Sequence, residues 1–147
     1  MRFSMWCCWS FDGLFGGLLK VVKACSDILP TRTNLCQRKI PLDPACAVCN
    51  QHDEMVAHAL WGCPMARNVW AMVAGNLQKR CSAAEDFYSL VRELMSVLTT
   101  KEVEVWPIVS WVIWNARNRY LCDRKQTHPS NILLGAMTLL QEYQRLN

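Results

Sequence analysis

Cys46-Ala-Val-Cys49 is followed after eight residues by His58, and after four more by Cys63. Three thiols and one imidazole at this C-x2-C-x8-H-x4-C spacing make a full tetrahedral set for Zn²⁺, with no position left for water. Such a set constrains the fold strongly. The Cys46–Cys49 turn must point both sulfurs inward while His58 and Cys63 return from the other side, with sulfur and nitrogen atoms about 3–4 Å apart. A closed set of this kind is structural, so the ion is expected to hold the segment together and perform no chemistry. His52 could substitute as a ligand, but it lies just behind Cys49 at a loop tip. Asp53 and Glu54 are expected to remain outside the ligand set. Cys63, at the start of the helix opened by Pro64, should be the thiol that ionises most easily.

With nine cysteines in 147 residues, spacing alone is a weak guide and the rest of the chain must be weighed. Cys7 and Cys8 are vicinal, and Cys25, Cys36, Cys81 and Cys122 are isolated. That is a poor disulfide framework and reads as a reduced, intracellular inventory, most of it small buried hydrophobes. The length suits one domain with a sizeable core, and 52% hydrophobic residues with seven Trp exclude wholesale disorder. Asp12 and the Gly13/Gly16/Gly17 cluster interrupt the apolar start, so it is not a signal peptide. No stretch reaches the ~18 apolar residues of a membrane span. Residues 1–17 are expected to be disordered or poorly packed.

The periodicity predicts a mostly α-helical domain organised around the metal loop. Leu18–Cys25 has helical character that Pro30 ends, and Thr31 or Thr33 can cap a short helix through Leu35 and Arg38. Cys63-Pro64 opens a helix over 64–75, proline being favoured in the first turn, which Gly75-Asn76 can close. Ser82-Ala-Ala-Glu85 reads as a capping box for a helix over 83–98 with the stripe Phe87, Leu90, Val91, Leu94, Val97, Leu98. A helix over 104–123 carries Pro107 in its first turn and Trp106, Val109, Ile113 and Ala116 on one face. Ser130 caps a last helix over 130–145 with Leu133, Leu134, Met137, Leu140 and Tyr143. Beyond a short turn of strand around the metal, no sheet is expected.

Ile28-Leu-Pro-Thr-Arg-Thr-Asn-Leu35, Cys46-x2-Cys49, Glu54-x3-His58-x4-Cys63-Pro-x-Ala66 and Val69-Trp70 together resemble the zinc-binding region of reverse transcriptases from plant non-LTR, LINE-type retroelements. Trp111-Val-Ile-Trp114-Asn-Ala-Arg117-Asn118-Arg119 resembles the segment that follows it in those polyproteins. The resemblance covers roughly Leu18 to the C-terminus. It implies a zinc-binding domain over 18–125 and a C-terminal helix over 126–147 that is the stub of a linker to a ribonuclease H domain. It also implies a place after a polymerase and work in holding template RNA or target DNA, in the nucleus rather than the cytoplasm. Residues 1–17 depart from the family's lead-in, and the chain stops where a ribonuclease H would begin, so a fragment of a decayed element is expected.

The net charge is only +4, but Lys20, Lys23, Arg32, Arg38 and Lys39 outweigh Asp27. Together with Arg67 and Arg117 they are the candidate phosphate contacts, of low sequence preference; a solvated helix face is the plain alternative. Trp111 and Trp114 could stack bases, although tryptophans at helical spacing usually form core. Several chemistries are excluded. No Asp-Asp polymerase motif and no Gly-x4-Gly-Lys loop occurs. A deaminase needs Glu two residues after its histidine, where this chain has Leu60. The functional expectation is a non-catalytic zinc-binding module that contacts nucleic acid, with neither membrane nor small-molecule substrate. The alternative is a zinc-stapled structural or protein-interaction domain.

Overall fold

The computed structural model describes residues 23–79 and 86–146. Lys20, the 1–17 segment and the Ser82-Glu85 box lie outside the described residues. Among those described, the elements are helical: α1 (Arg32–Gln37), a π-helical turn (His58–Gly62), α2 (Pro64–Trp70), α3 (Asn76–Lys79), α4 (Phe87–Met95), α5 (Thr100–Asp123) and α6 (Pro129–Leu146). They contain no strand, only a single antiparallel bridge between Ala45 and Asp53 beside the cysteines. None of these helices is long and apolar enough to cross a membrane.

The long helix α5 is the scaffold, and it begins earlier than the proline suggests. Thr99 Oγ1 accepts from the Glu102 amide (3.4 Å) while the Glu102 carboxylate accepts from the Thr99 amide (2.8 Å), a complete capping box. Reciprocal capping satisfies two amides that a start at residue 104 would leave open. Pro107 is therefore inside the helix rather than in its first turn. The same carboxylate accepts from the Asn76 amide at 2.8 Å, which ties the loop after α2 to the start of α5. Gly75 makes that approach possible. It sits at φ +97°, and a side chain there would collide with the Glu102 carboxylate.

The other boundaries differ similarly. Asp86 caps α4, accepting from both the amide and the hydroxyl of Ser89 at 2.8 Å, so the helix starts at Phe87 rather than 83 and ends at Met95 rather than 98. Helix α2 stops at Trp70, short of 75, and the chain re-enters a helix only at Asn76. From an exposed position His128 Nδ1 bonds the Ser130 amide and hydroxyl, and α6 begins at Pro129 rather than 130. Helix α6 packs along α5 through Ile132, Ala136 and Leu140, while Leu134 is 64% exposed and Tyr143 38% exposed. Of the expected face Leu140 is buried and Leu133 and Met137 pack half-buried against the core, while Leu134 and Tyr143 turn outward.

Trp106, Val109 and Ile113 of α5 meet Val69 and Trp70 of α2, Leu77 of α3 and Leu90 and Leu94 of α4 in one buried cluster. Trp114 belongs to this core as well, and Trp111 is half-buried against it, which removes the base-stacking role for the buried ring. Cys122, expected as an isolated thiol, is disulfide-bonded. The other described cysteines are free.

Candidate metal centre

The loop that carries the first two cysteines is built by backbone bonds of short reach. Asp43 Oδ1 accepts from the Ala45 amide (2.9 Å), turning the chain after Pro41-Leu-Asp-Pro44. The amides of Cys46 and Glu54 then donate to His52 O (2.8 Å) and Pro44 O (2.9 Å), which form the bridge. Asn50 closes the knuckle: its amide donates to Cys46 O at 2.8 Å with φ at 55°, a left-handed conformation that asparagine tolerates. This turn brings Cys46 and Cys49 to one side.

The other two donors come from the π-helical turn. The Cys63 amide reaches back to His58 O at 2.7 Å, an i→i+5 bond. This wider turn separates His58 and Cys63 by one extra residue and lets both face the knuckle. Single π turns of this kind commonly occur where a side chain must be re-aimed at a functional site. Cys63 is then the N-cap of α2, with Pro64 in the first helical position as its fixed φ favours.

The four donor atoms converge. Cys46 Sγ and Cys63 Sγ are 4.0 Å apart, Cys49 Sγ and His58 Nε2 are 3.4 Å apart, and all four lie within 4.8 Å of one another. Bonds of ~2.0–2.3 Å to a tetrahedral ion put its ligands about 3.5–3.8 Å apart, so the cluster approaches a Zn²⁺ site, with its widest separations closing by up to about 1 Å. Cys46 and Cys63 are buried, while Cys49 and His58 are half-buried. The two buried thiols do not behave alike. The hydrogen bond from the Cys63 thiol holds Cys46 down at about 3, against the effect of burial. Cys63, which keeps that shared proton and is itself buried, is pushed far up. Either sulfur could donate in this contact, so the helix N-terminus at Cys63 does not by itself decide which thiol ionises first. When zinc binds such a set it displaces the shared proton and holds three thiolates and one neutral imidazole.

His52 is exposed, with its ring 5.7 Å from that of His58, and is not among the convergent donors. Glu54 also lies outside the ligand set and does something the sequence did not disclose. Its side chain is fully buried and forms a bidentate ion pair with Arg117 of α5: Arg117 Nε donates to Oε2 at 2.9 Å, and a terminal guanidinium nitrogen donates to Oε1. Oε1 also accepts from the Arg32 amide at the start of α1 (2.9 Å). Arg117 is further held by Asn118 Oδ1 (2.7 Å) and lies 4.7 Å over the Trp114 ring. The metal loop, α1 and α5 are therefore joined at one carboxylate.

This arrangement removes Arg117 from the candidate phosphate contacts, since its guanidinium is buried and fully engaged by Glu54. The sequence signals only that an arginine inside the Trp-rich stretch of a buried helix needs an acid, without saying which one. The other candidates are spread. Arg32 Nε donates to Asp43 O (2.6 Å). Arg67 lies 5.0 Å over the Trp61 ring. Lys23 is half-buried and has a partner of its own. Arg38 donates to Ile28 O (3.3 Å) from an exposed position, and Lys39 is exposed beside it at the end of α1.

A family described as zinc-binding in reverse transcriptase matches residues 2–70, a span that holds all four convergent ligands and Glu54. The match begins at residue 2, ahead of the Leu18 start that the resemblance suggested, and ends at Trp70. No curated protein and no solved structure matches the chain. Over residues 2–70 the chain is thus similar to the zinc-binding region of reverse transcriptases.

Proposed function

We propose that this chain is a non-catalytic zinc-binding module of retroelement origin that contacts RNA or DNA through phosphates, with little sequence preference. The observation that carries the zinc half is the convergence of Cys46, Cys49, His58 and Cys63, a closed donor set that leaves no coordination position for a substrate. The nucleic-acid half is supported by Arg38 and Lys39, exposed cations just ahead of the metal loop, and by the polymerase setting that the family's description names.

A second reading has its own support. Arg117 is used internally as an ion pair, Arg32 donates to a loop carbonyl and Arg67 lies on a tryptophan. Those commitments favour a zinc-stapled structural or protein-interaction domain. Fluorescence anisotropy on zinc-loaded protein separates the two, using single- and double-stranded probes over a salt series. Phosphate binding weakens steeply with salt, and Arg38→Ala and Lys39→Ala should each lower the log–log slope by about one. If neither probe binds at low salt, the interaction reading replaces this one.

A further inference from the structure

Between residues 105 and 141 the chain has a single acid, Asp123, against Arg117, Arg119, Arg124 and Lys125. Arg117 is neutralised by Glu54. The other three cations are exposed at the corner where α5 turns into α6, and none makes an ion pair among the described residues. The next acid back along α5 is Glu104, fifteen residues from Arg119 and so about 22 Å away along the axis. That is beyond two Debye lengths at physiological salt. Cations near a helix C-terminus often answer only the helix dipole, but that effect is confined to the last turn. Arg119 precedes the last turn of α5, and Lys125 lies past its C-cap. The corner also has fixed geometry. Arg124 closes α5 in the left-handed conformation (φ 54°), with its amide donating to Tyr120 O at 2.9 Å. Its guanidinium lies 5.9 Å over the half-buried Tyr120 ring. Four residues on, His128 Nδ1 accepts from the Ser130 amide (3.2 Å), so the exposed ring carries its proton on Nε2 and offers a donor there.

We infer that the α5–α6 corner is a second nucleic-acid contact surface and that it takes a single strand. Arg119, Arg124 and Lys125 meet phosphates, His128 Nε2 adds a donor, and the Arg124–Tyr120 pair offers a base a stacking face. Unpaired cations beside an aromatic ring are the combination that single-strand binding uses, and guanidinium planes stack bases as rings do. Geometry separates strand from duplex. Arg119 and Arg124 are five positions apart, roughly 140° around the helix at 3.6 residues per turn. A flexible strand can follow cations around such an end, whereas a straight duplex meets one side of it. The surface lies outside residues 2–70, so the similarity to the zinc-binding family does not supply it. The inference rests on the nucleic-acid reading above, but on neither Arg38 nor Lys39.

The test is fluorescence anisotropy of the zinc-loaded full chain with a labelled oligouridylate and a labelled duplex of equal length, each over a salt series. The parent should bind the single strand at least about fivefold tighter than the duplex. Arg119→Gln, Lys125→Gln and Arg124→Asn should each lower the single-strand log–log slope by about 0.7. Asparagine keeps the left-handed cap at 124, so that variant removes charge without adding strain. Tyr120→Leu should weaken single-strand binding about fivefold and leave the slope unchanged. Circular dichroism checks that each variant keeps the parent's helicity; a purely structural corner would change melting and leave the slopes alone. Suppose the strand binds and the corner variants keep the parent slope while Arg38→Ala and Lys39→Ala lower it. The corner is then overturned and the nucleic-acid reading stands. Binding of neither probe overturns both. A duplex held as tightly as the strand overturns the single-strand assignment, and tighter capture by phosphatidylserine vesicles than by the strand would make the patch a membrane contact instead.

Discussion

Truncating Glu54 to alanine should be the most damaging single change outside the zinc ligands. The Glu54 carboxylate is fully buried and receives two bonds from the Arg117 guanidinium and one from the Arg32 amide. Removing it leaves a guanidinium that is only 6% exposed without a counter-ion. Breaking one partner of a buried pair costs about 3–5 kcal/mol, which for a domain of this size lowers the melting temperature by roughly 10 °C. Glu54→Gln, which keeps the shape and one acceptor, should lose about 2 kcal/mol. The double variant Glu54→Met, Arg117→Met should recover most of the loss, because two apolar side chains replace two desolvated charges. It should stay about 1 kcal/mol below the parent, for the Arg32 amide still loses its acceptor. Urea unfolding followed by circular dichroism, with zinc in excess, measures all three. A loss below about 1 kcal/mol for the alanine variant would refute the reasoning. So would a double variant as unstable as the single.

Cys49→Ser should release the metal and loosen the segment from Pro41 to Trp70, whereas Cys36→Ser should keep one zinc per chain, since Cys36 only donates to Leu42 O (3.1 Å); metal analysis of reduced protein decides. Zinc affinity should rise with pH, because binding requires the loss of thiol protons, above all the one Cys63 retains, and competition with a chromophoric chelator between pH 5 and 8 reads this out. The carboxyls of Asp86 and Glu102 are both held below their usual values, first by the amides of Ser89 and Thr99 respectively. Their contribution is therefore present above the ordinary carboxylate range of about 4 and disappears as pH falls through the lowered folded values. Helicity of the parent should drop in that acid window, and a Glu102→Gln, Asp86→Asn variant should show a flatter profile by circular dichroism. Gly75→Ala should lose about 1–3 kcal/mol in thermal melts, from the φ of +97° and the collision with Glu102.

The metal set was legible because its signal is local: four donors lie within eighteen residues, and only a few chemistries need that combination. The helical class was legible too, from the stripes behind Phe87 and Trp106. Boundaries failed where two signals competed. Pro107 looked like a first-turn proline, but Thr99 and Glu102 close a capping box earlier, and reciprocal side-chain caps outrank a position proline merely tolerates. In α6 the expected Leu140 is buried and Leu133 and Met137 pack against the core, but the burial of Ile132 and the small Ala136 and the exposure of Leu134 are set by packing that a count of leucines passes over. The Arg117–Glu54 pair could not be read from either end, because its members are 63 positions apart and each has an ordinary solvated alternative.

That pair also changes what zinc is for in this chain. Between Pro41 and Met55 the backbone makes one bridge and a knuckle, with no helix to hold it in place. Such a segment recovers little of its ordering entropy from regular hydrogen bonding. It is fixed by two clamps of different kind. Zinc would close the loop on itself by joining Cys46 and Cys49 to His58 and Cys63. Glu54, lying between the two halves of the donor set, fastens that loop to Arg117 on the scaffold helix and to the start of α1. Neither clamp replaces the other. Without zinc the carboxylate anchors a loop whose ligand ends are open; without Glu54 the closed loop has no charged tie to α5. The acidic residue four before the histidine therefore belongs to the architecture of the site without being a ligand of it.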